Sequence, residues 1–192
     1  MITVVKYNAG NIQSVLFALA RIGVEAEVTD SPEKLMAADK VIFPGVGEAG
    51  SAMRYLRERK LDEVIRRLQQ PVLGICLGMQ LLCRHSEEGN TDCIAVFDNS
   101  VRRFNSGVKV PQTGWNNVTA LSGPLFQDFR EDPYFYFVHS YYADLGIATV
   151  AQTEYGDVFS SALQRDNFYG VQFHPEKSAA AGELLLRNFL NL

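Results

Sequence analysis

Apolar positions along this chain fall into short unbroken runs separated by stretches where they recur every three or four residues, and the two rhythms alternate. Ile2 to Lys6 reads as a short buried strand. After the turn-prone Asn8-Ala9-Gly10-Asn11, the residues Ile12, Val15, Leu16 and Leu19 stand at helical spacing, with Asn11 as an N-cap and Gly23 as the stop. Val24 to Val28 predicts a second strand, and Ser31-Pro32-Glu33 opens a short helix with a capping serine and a first-turn proline. Val41-Ile42-Phe43 predicts a third strand that runs into Pro44-Gly45-Val46-Gly47, followed by a charged, broken helical stretch from Glu48 to Gln70. Pro71-Val72-Leu73-Gly74-Ile75 restarts a buried strand, which meets a further helical pattern at Leu77 to Leu82.

Strands separated by helix-length crossovers predict an α/β fold: a mostly parallel, doubly wound sheet flanked by helices. Beyond residue 90 the pattern changes to short strands with polar turns, among them Phe135 to Val138, Ile147 to Gln152 and Tyr169 to Phe173. These additional short antiparallel strands of the C-terminal half extend the sheet or form a layer beside it. A last helix, Ala179 to Leu190, follows the capping candidate Ser178 and carries Leu184, Leu185, Phe189 and Leu190 as its apolar stripe. The chain shows no internal repeat or low-complexity tract, so residues 1–192 are expected to form one domain.

Composition narrows the function classes. With 192 residues, 47% hydrophobic and 21% charged, the chain is large enough to bury a sizeable core. The net charge of -4 and the scattered Lys and Arg argue against a nucleic-acid partner. No apolar run approaches the roughly 20 residues of a membrane-spanning helix, and the start lacks the pattern of a signal peptide, so a cytoplasmic protein without membrane contact is expected. Cys76, Cys83 and Cys93 cannot all pair and lack zinc-site spacing. Each is expected to be a free thiol, with no metal and no cofactor.

The sharpest local signal is Gly74-Ile75-Cys76-Leu77-Gly78-Met79-Gln80, a cysteine between glycines where an apolar strand meets a helix. That is the nucleophile-elbow pattern with sulfur in place of oxygen: the nucleophile sits in strained backbone and the glycines remove Cβ atoms that would clash. The start of the following helix favours a thiolate and leaves the Leu77 amide able to bind an oxyanion. The competing reading is a small buried cysteine with two packing glycines. A cysteine nucleophile needs a base, and the chain has three histidines, His85, His139 and His174. His174 follows a strand and precedes Pro175-Glu176, and an extended backbone there places His174 and Glu176 on one side, as a base and the carboxylate that orients it. Alone, such a tripeptide is an ordinary turn; with the cysteine elbow on the same sheet edge, the catalytic reading is preferred.

Pro44-Gly45-Val46-Gly47 lies just past a strand, where ligands gather in open α/β sheets, and its amides are candidates for the second half of an oxyanion hole, the alternative being a plain loop. His139 is expected to be a hydrogen-bonded histidine packed behind the site, and His85 a solvated loop residue. Cys83 and Cys93 are expected to pack as small apolar groups.

Together, the Gly74 to Gln80 segment and His174-Pro175-Glu176 resemble the class I glutamine amidotransferase family, whose members use a Cys-His-Glu triad on an α/β fold. Within it, Pro44 to Gly47, Gly114-Trp115-Asn116, Phe137 to Tyr141 and His174 to Ser178 are similar to the glutaminase subunits that serve the cyclase of histidine biosynthesis. The resemblance implies that Cys76 attacks the side-chain amide of glutamine, His174 protonates the departing ammonia, Glu176 orients His174, and water releases glutamate. It implies that Gln80, Ser140 and Tyr141 hold the glutamine, with Gly45, Val46, Gly47 and the Leu77 amide about the oxyanion. The implied partner is a (βα)8-barrel cyclase, in a heterodimer, which consumes the ammonia in forming imidazole glycerol phosphate and an aminoimidazole carboxamide ribotide; Asn11, Trp115, Tyr136 and Lys177 match positions that face the barrel. The chain departs from the family pattern at Gln112 and Thr113, where a histidine and a methionine are usual, which leaves room for a paralogue serving another synthase. The readings from other classes are a stand-alone cysteine hydrolase and a non-catalytic protein that serves assembly only. A partner is also expected from the residues themselves, since the chain has no phosphate-binding glycine loop or metal cluster with which to bind an ammonia acceptor.

Overall fold

The computed structural model describes residues 1–8, 11–105 and 107–192; Ala9 and Gly10 of the predicted turn fall outside them. The first half alternates as the pattern predicts: β1 (Ile2–Val5), α1 (Ile12–Arg21), β2 (Ala26–Thr29), α2 (Pro32–Ala37), β3 (Lys40–Phe43), α3 (Ala49–Glu58), α4 (Leu61–Arg66), β4 (Val72–Ile75) and α5 (Leu77–Leu82). The charged stretch breaks at Lys60, whose backbone turns to φ 56° between α3 and α4. Ser31 caps α2 as expected, accepting a hydrogen bond from the Lys34 amide, with Pro32 at the first helical position. Asn11 is different: it holds the N-cap position of α1 but its side chain makes no cap hydrogen bond, and it contributes only its carbonyl, which accepts from the Val15 amide at 3.4 Å.

The second half contributes β5 (His85–Ser86), β6 (Thr91–Asp92), β7 (Ser100–Arg103), β8 (Gln112–Asn117), β9 (Tyr134–His139), β10 (Tyr141–Ala143), β11 (Thr149–Tyr155), β12 (Asp157–Arg165), β13 (Phe168–Val171) and α6 (Ala179–Leu190). His85, expected in a loop, lies in the short strand β5 and pairs with Asp92 at 3.0 Å. In the main sheet the order is β2-β1-β3-β4-β13-β12-β10-β7-β5-β6, with β11 on β12, while β8 and β9 form a separate two-stranded ribbon. Strands β2, β1, β3, β4 and β13 are mutually parallel, and the antiparallel strands begin at β12. Both expected roles of the late strands are therefore filled, some extending the sheet and two standing beside it.

Neighbouring residues within each central strand point to opposite faces, and both faces are apolar, which is why these strands read as unbroken hydrophobic runs. Val5, Val41, Phe43 and Val72 pack with Leu35 of α2, Met53 and Leu56 of α3 and Ile65 of α4. Val4, Ile42, Leu73 and Ile75 pack on the other side with Val15 and Leu19 of α1 and Leu185 and Phe189 of α6. Burying each of these large side chains stabilises the fold by about 1.5–3 kcal/mol.

Because β3, β4 and β13 are adjacent and parallel, their C-terminal ends open on one edge of the sheet, each followed by one of the segments singled out in the sequence. Helix α5 lies so close to that edge that a Cβ on Gly78 would stand 1.8 Å from the carbonyl oxygen of Phe43 and one on Gly74 2.8 Å from the amide nitrogen of Met79. Backbone blocks the first of these positions, and backbone cannot swing aside. Gly78→Ala is accordingly expected to lower stability by about 3 kcal/mol, read as a lower urea midpoint at unchanged slope; an unaltered midpoint would show that the helix and strand are not in contact.

Candidate active site

Cys76 links β4 to α5 with φ 52° and ψ -110°, a conformation that costs a non-glycine residue on the order of 1–3 kcal/mol. The turn is held by its neighbours: the Cys76 amide donates to the Val171 carbonyl of β13 at 2.8 Å and its carbonyl accepts from the Gln80 amide at 3.1 Å. Gly74 and Gly78 on either side are not themselves at positive φ; their role is the close approach of α5 to the sheet described above, and Gly45 completes it, since a Cβ there would meet the Tyr7 hydroxyl at 2.5 Å and the Gly78 amide at 2.7 Å.

His174 follows β13 and faces the sulfur. The predicted extended His174-Pro175-Glu176 is not what forms: His174 is extended, but Pro175–Lys177 make a 3-10 turn with proline at its first position. The tight turn folds the carboxylate back, so that Glu176 Oε1 sits 2.7 Å from His174 Nδ1, both side chains being 2% exposed. The turn is pinned from two sides. Ser178, which does not cap α6 through its side chain as expected, instead donates its hydroxyl to the His174 carbonyl at 2.6 Å and accepts from the Tyr136 amide at 2.9 Å. Gly182 of α6 stands where a Cβ would be 1.9 Å from the Pro175 carbonyl.

Burial works against a charge on His174, but the adjacent Cys76 sulfur and the Glu176 carboxylate outweigh it and raise the imidazole to about 10. The other oxygen of Glu176 is buried without a hydrogen-bond partner, so the charge opposite it, on the imidazolium, is its chief compensation. His139 is shifted the other way: burial first, then the nearby His174, hold it down at about 4 despite a hydrogen bond to the Tyr141 carbonyl. Its Nδ1 lies 2.7 Å from that carbonyl, which can only accept, so Nδ1 carries the proton. Nε2 lies 2.9 Å from the Gln112 side-chain oxygen, and with Nδ1 protonated the neutral ring is satisfied there when the Gln112 amide is turned end for end to present its NH2. Gln112, one of the two residues set apart in the sequence, is thus one of the two groups that hold His139, with the Tyr141 carbonyl.

A cleft of about 310 Å³ opens on the sulfur, and Val46, Gly47, Leu77, Gln80, Ser140 and Tyr141 line it with Cys76 and His174. Two of the sequence-predicted site residues stand behind it rather than in it: Glu176 behind the imidazole and Gly45, whose carbonyl accepts from the Leu77 amide at 3.3 Å. Of the four residues matched to a partner surface, Lys177 lines the cleft as well, with its amino group 6.0 Å from the Tyr136 ring; Trp115, 53% exposed, meets Tyr136 edge-to-face at 6.1 Å, and Asn11 is half-buried at the start of α1.

Sequence reasoning missed two groups. Glu88, from the polar stretch assigned to solvent, lines the cleft because β5 and β6 fold it back over α3, where its Oε2 accepts from the Ala49 amide at 2.8 Å; no local spacing announces this. Gln172 is fully buried and donates to Cys76 Sγ at 3.7 Å. A lone amide between Val171 and Phe173 was a signal for it, since a polar residue in an apolar run requires a partner. Among the described residues no group of His, Cys, Asp and Glu is arranged to hold a metal ion, and no helix is long and apolar enough to cross a membrane.

The two histidines give this site a pH signature. His139 has its folded value below the ordinary 6.5, so its stabilising contribution is present above about 6.5 and is lost as pH falls toward about 4. His139→Gln is expected to narrow the difference in urea midpoint between pH 7 and pH 4 relative to the parent; an equal difference in both would show that the ring is not buried neutral.

Residues 3–192 match the family described as Glutamine amidotransferase class-I. Among curated relatives, a Bacteroides fragilis protein named Imidazole glycerol phosphate synthase subunit HisH is 57% identical, covering 100% of this chain and 99% of the relative. Proteins of the same name from Escherichia coli, at 47% identity and 100% and 99% coverage, and Vibrio cholerae, at 45% and 100% and 98%, are also similar. The fold is shared with a crystal structure of a glutamine amidotransferase, at TM-score 0.77 with 21% identity over 99% of this chain and 97% of that one. It is shared too with a chain in the structure of PurLQS from Thermotoga maritima, at TM-score 0.74 with 19% identity over 99% and 97%. The chain belongs to the class I glutamine amidotransferase family.

Proposed function

We propose that residues 1–192 form one amidotransferase domain, the glutaminase subunit of imidazole glycerol phosphate synthase, which hydrolyses glutamine and passes the ammonia to a (βα)8-barrel cyclase. The observation that carries the chemistry is the meeting of Cys76, His174 and Glu176 at the ends of two adjacent parallel strands, with a cleft opening on the sulfur. The relatives that share 45–57% of this sequence over its full length support the acceptor pathway, histidine biosynthesis. Three free thiols suit the cytoplasm as its compartment.

In this reading the sulfur of Cys76 attacks the side-chain amide carbon of glutamine, and the C–N bond breaks as His174 gives its proton to the departing nitrogen. Glu176 keeps the imidazole oriented and compensates its charge. Water, deprotonated by His174, then cleaves the thioester to glutamate and frees the sulfur. Gln80, Ser140 and Tyr141 hold the substrate, and Glu88 supplies the negative group that suits its α-ammonium. The oxyanion donors are the Leu77 amide and the amides of Val46 and Gly47. In the present conformation the Leu77 amide is engaged by the Gly45 carbonyl, so that carbonyl must turn away before an oxyanion can form. This resting arrangement supports dependence on a partner, for which the exposed Trp115 and Lys177, with the half-buried Tyr136 between them, form the docking face, and Asn11 is a further candidate from the sequence.

Cys76→Ala is expected to abolish glutamine-dependent synthesis by the complex while ammonia-dependent synthesis continues; loss of both would place the residue in assembly and not in chemistry. The isolated chain is expected to hydrolyse glutamine slowly, and the cyclase with its ligand to raise that rate at least tenfold. Brisk partner-free turnover of peptides, with none on glutamine, would replace this reading by a stand-alone hydrolase.

A further inference from the structure

The amides behind the cleft are wired in one direction only. Gln80 Nε2 donates to the Tyr141 carbonyl at 2.8 Å and to Gln172 Oε1 at 2.9 Å. A backbone carbonyl can only accept, so Gln80 has to present its NH2 there, and both of its protons are then used. Gln172 in turn has to present oxygen to Gln80, which leaves its own NH2 facing Cys76 Sγ at 3.7 Å. Each orientation follows from the one before it, with Gln172 fully buried and Gln80 5% exposed at the cleft wall.

We propose that Gln172 is a positioning residue for the nucleophile, its amide NH2 held against the Cys76 sulfur by a buried chain of amides that starts at the Tyr141 carbonyl. The inference rests on the reading of Cys76 as nucleophile. The sulfur also lies 3.8 Å from an acceptor, the Val138 carbonyl. That carbonyl favours the thiol and opposes the thiolate. Gln172 supplies a neutral donor that remains useful once the proton has left, and it keeps the sulfur from settling onto Val138. The ionisable groups around the sulfur are His174 after β13, with Glu176 behind it, and Tyr7 after β1, whose hydroxyl is turned away to the Pro44 carbonyl at 2.6 Å; His139, Tyr141, Glu88 and Lys177 line the same cleft. Gln172 does not line the cleft, so its effect reaches the substrate only through sulfur.

Carbamidomethylation of Cys76 by iodoacetamide, followed against pH in the full chain, tests this. Gln172→Met is expected to move the rate profile to higher pH and to slow labelling about tenfold on its acid side, the order of a hydrogen bond to a charged group. In the complex its glutaminase kcat falls while KM for glutamine stays near the parent value. Gln80→Met, which leaves Gln172 in place but frees its amide to turn, shifts the profile the same way by less, and decides the matter if Gln172→Met does not fold. A folded variant of either kind with the parental profile overturns the inference, because a residue that only packs α5 against β13 would leave the profile alone. Absence of selective Cys76 labelling in the parent is a different failure: it removes the nucleophile itself and the inference with it.

Discussion

The peptide at Cys76 is held in a conformation its side chain disfavours, and the rest of the site is arranged by what holds it there. Three parallel strands end side by side, the Cys76 amide is tied to β13, and α5 rests against the last residue of β3 with no room for a Cβ. Strain of a few kcal/mol is tolerable only where the surrounding packing exceeds it. Here the packing is the sheet itself, apolar on both faces. The consequence is that Cys76, His174 and the Pro44 to Gly47 segment are placed directly at the ends of the central strands, while Glu88 reaches the cleft from outside them.

Within that frame, two imidazoles a short distance apart are set to opposite states by their partners. His174 has a carboxylate and a sulfur beside it and is raised to about 10; His139 has a carbonyl and a neutral amide and is lowered to about 4. Burial pushes both downward, so the difference is made by the partners: the charges and hydrogen bonds of Cys76 and Glu176 hold a proton on His174, and nothing charged does so at His139. A neutral His139 also avoids placing a second cation against the first, which would weaken the affinity of His174 for its proton. The amide at Gln112 suits this arrangement, since it can give a hydrogen bond without adding charge.

Much of this was legible from residue order. The alternation of apolar runs with helical spacing yields the parallel half, because strands buried on both faces and the helices over them leave opposite periodicities. The elbow at Cys76 and the pairing of His174 with Glu176 were also readable, although the second for a mistaken reason: the contact is made by a 3-10 turn and not by an extended strand. What could not be read was long-range. Glu88 reaches the cleft through a ribbon only two residues long on each side, the Ser178 hydroxyl leaves its helix to join β9 to His174, and the place of β13 between β4 and β12 is a matter of topology. No local pattern encodes such contacts, because they are chosen by which surfaces remain uncovered after the sheet has formed.

The ribbon of β8 and β9 joins the cleft to the exposed aromatic face, and its register shows how. Gln112 pairs with His139 at one end, while Trp115 pairs with Tyr136 three residues further on, a separation of about 10 Å along a strand. Strand pairing ties the two ends together, and His139, at the cleft end, is followed in the chain by Ser140 and the Tyr141 carbonyl. Stiffness alone does not switch anything; a switch needs an element with two arrangements. The contact of the Leu77 amide with the Gly45 carbonyl is suited to that part: at 3.3 Å it is long for a hydrogen bond, and it is followed by Gly47 at φ 133°, where the backbone of most other residues could not turn. The long Leu77 to Gly45 bond and the His139 end of the ribbon thus border one cleft, the first from the β3 side and the second from β9.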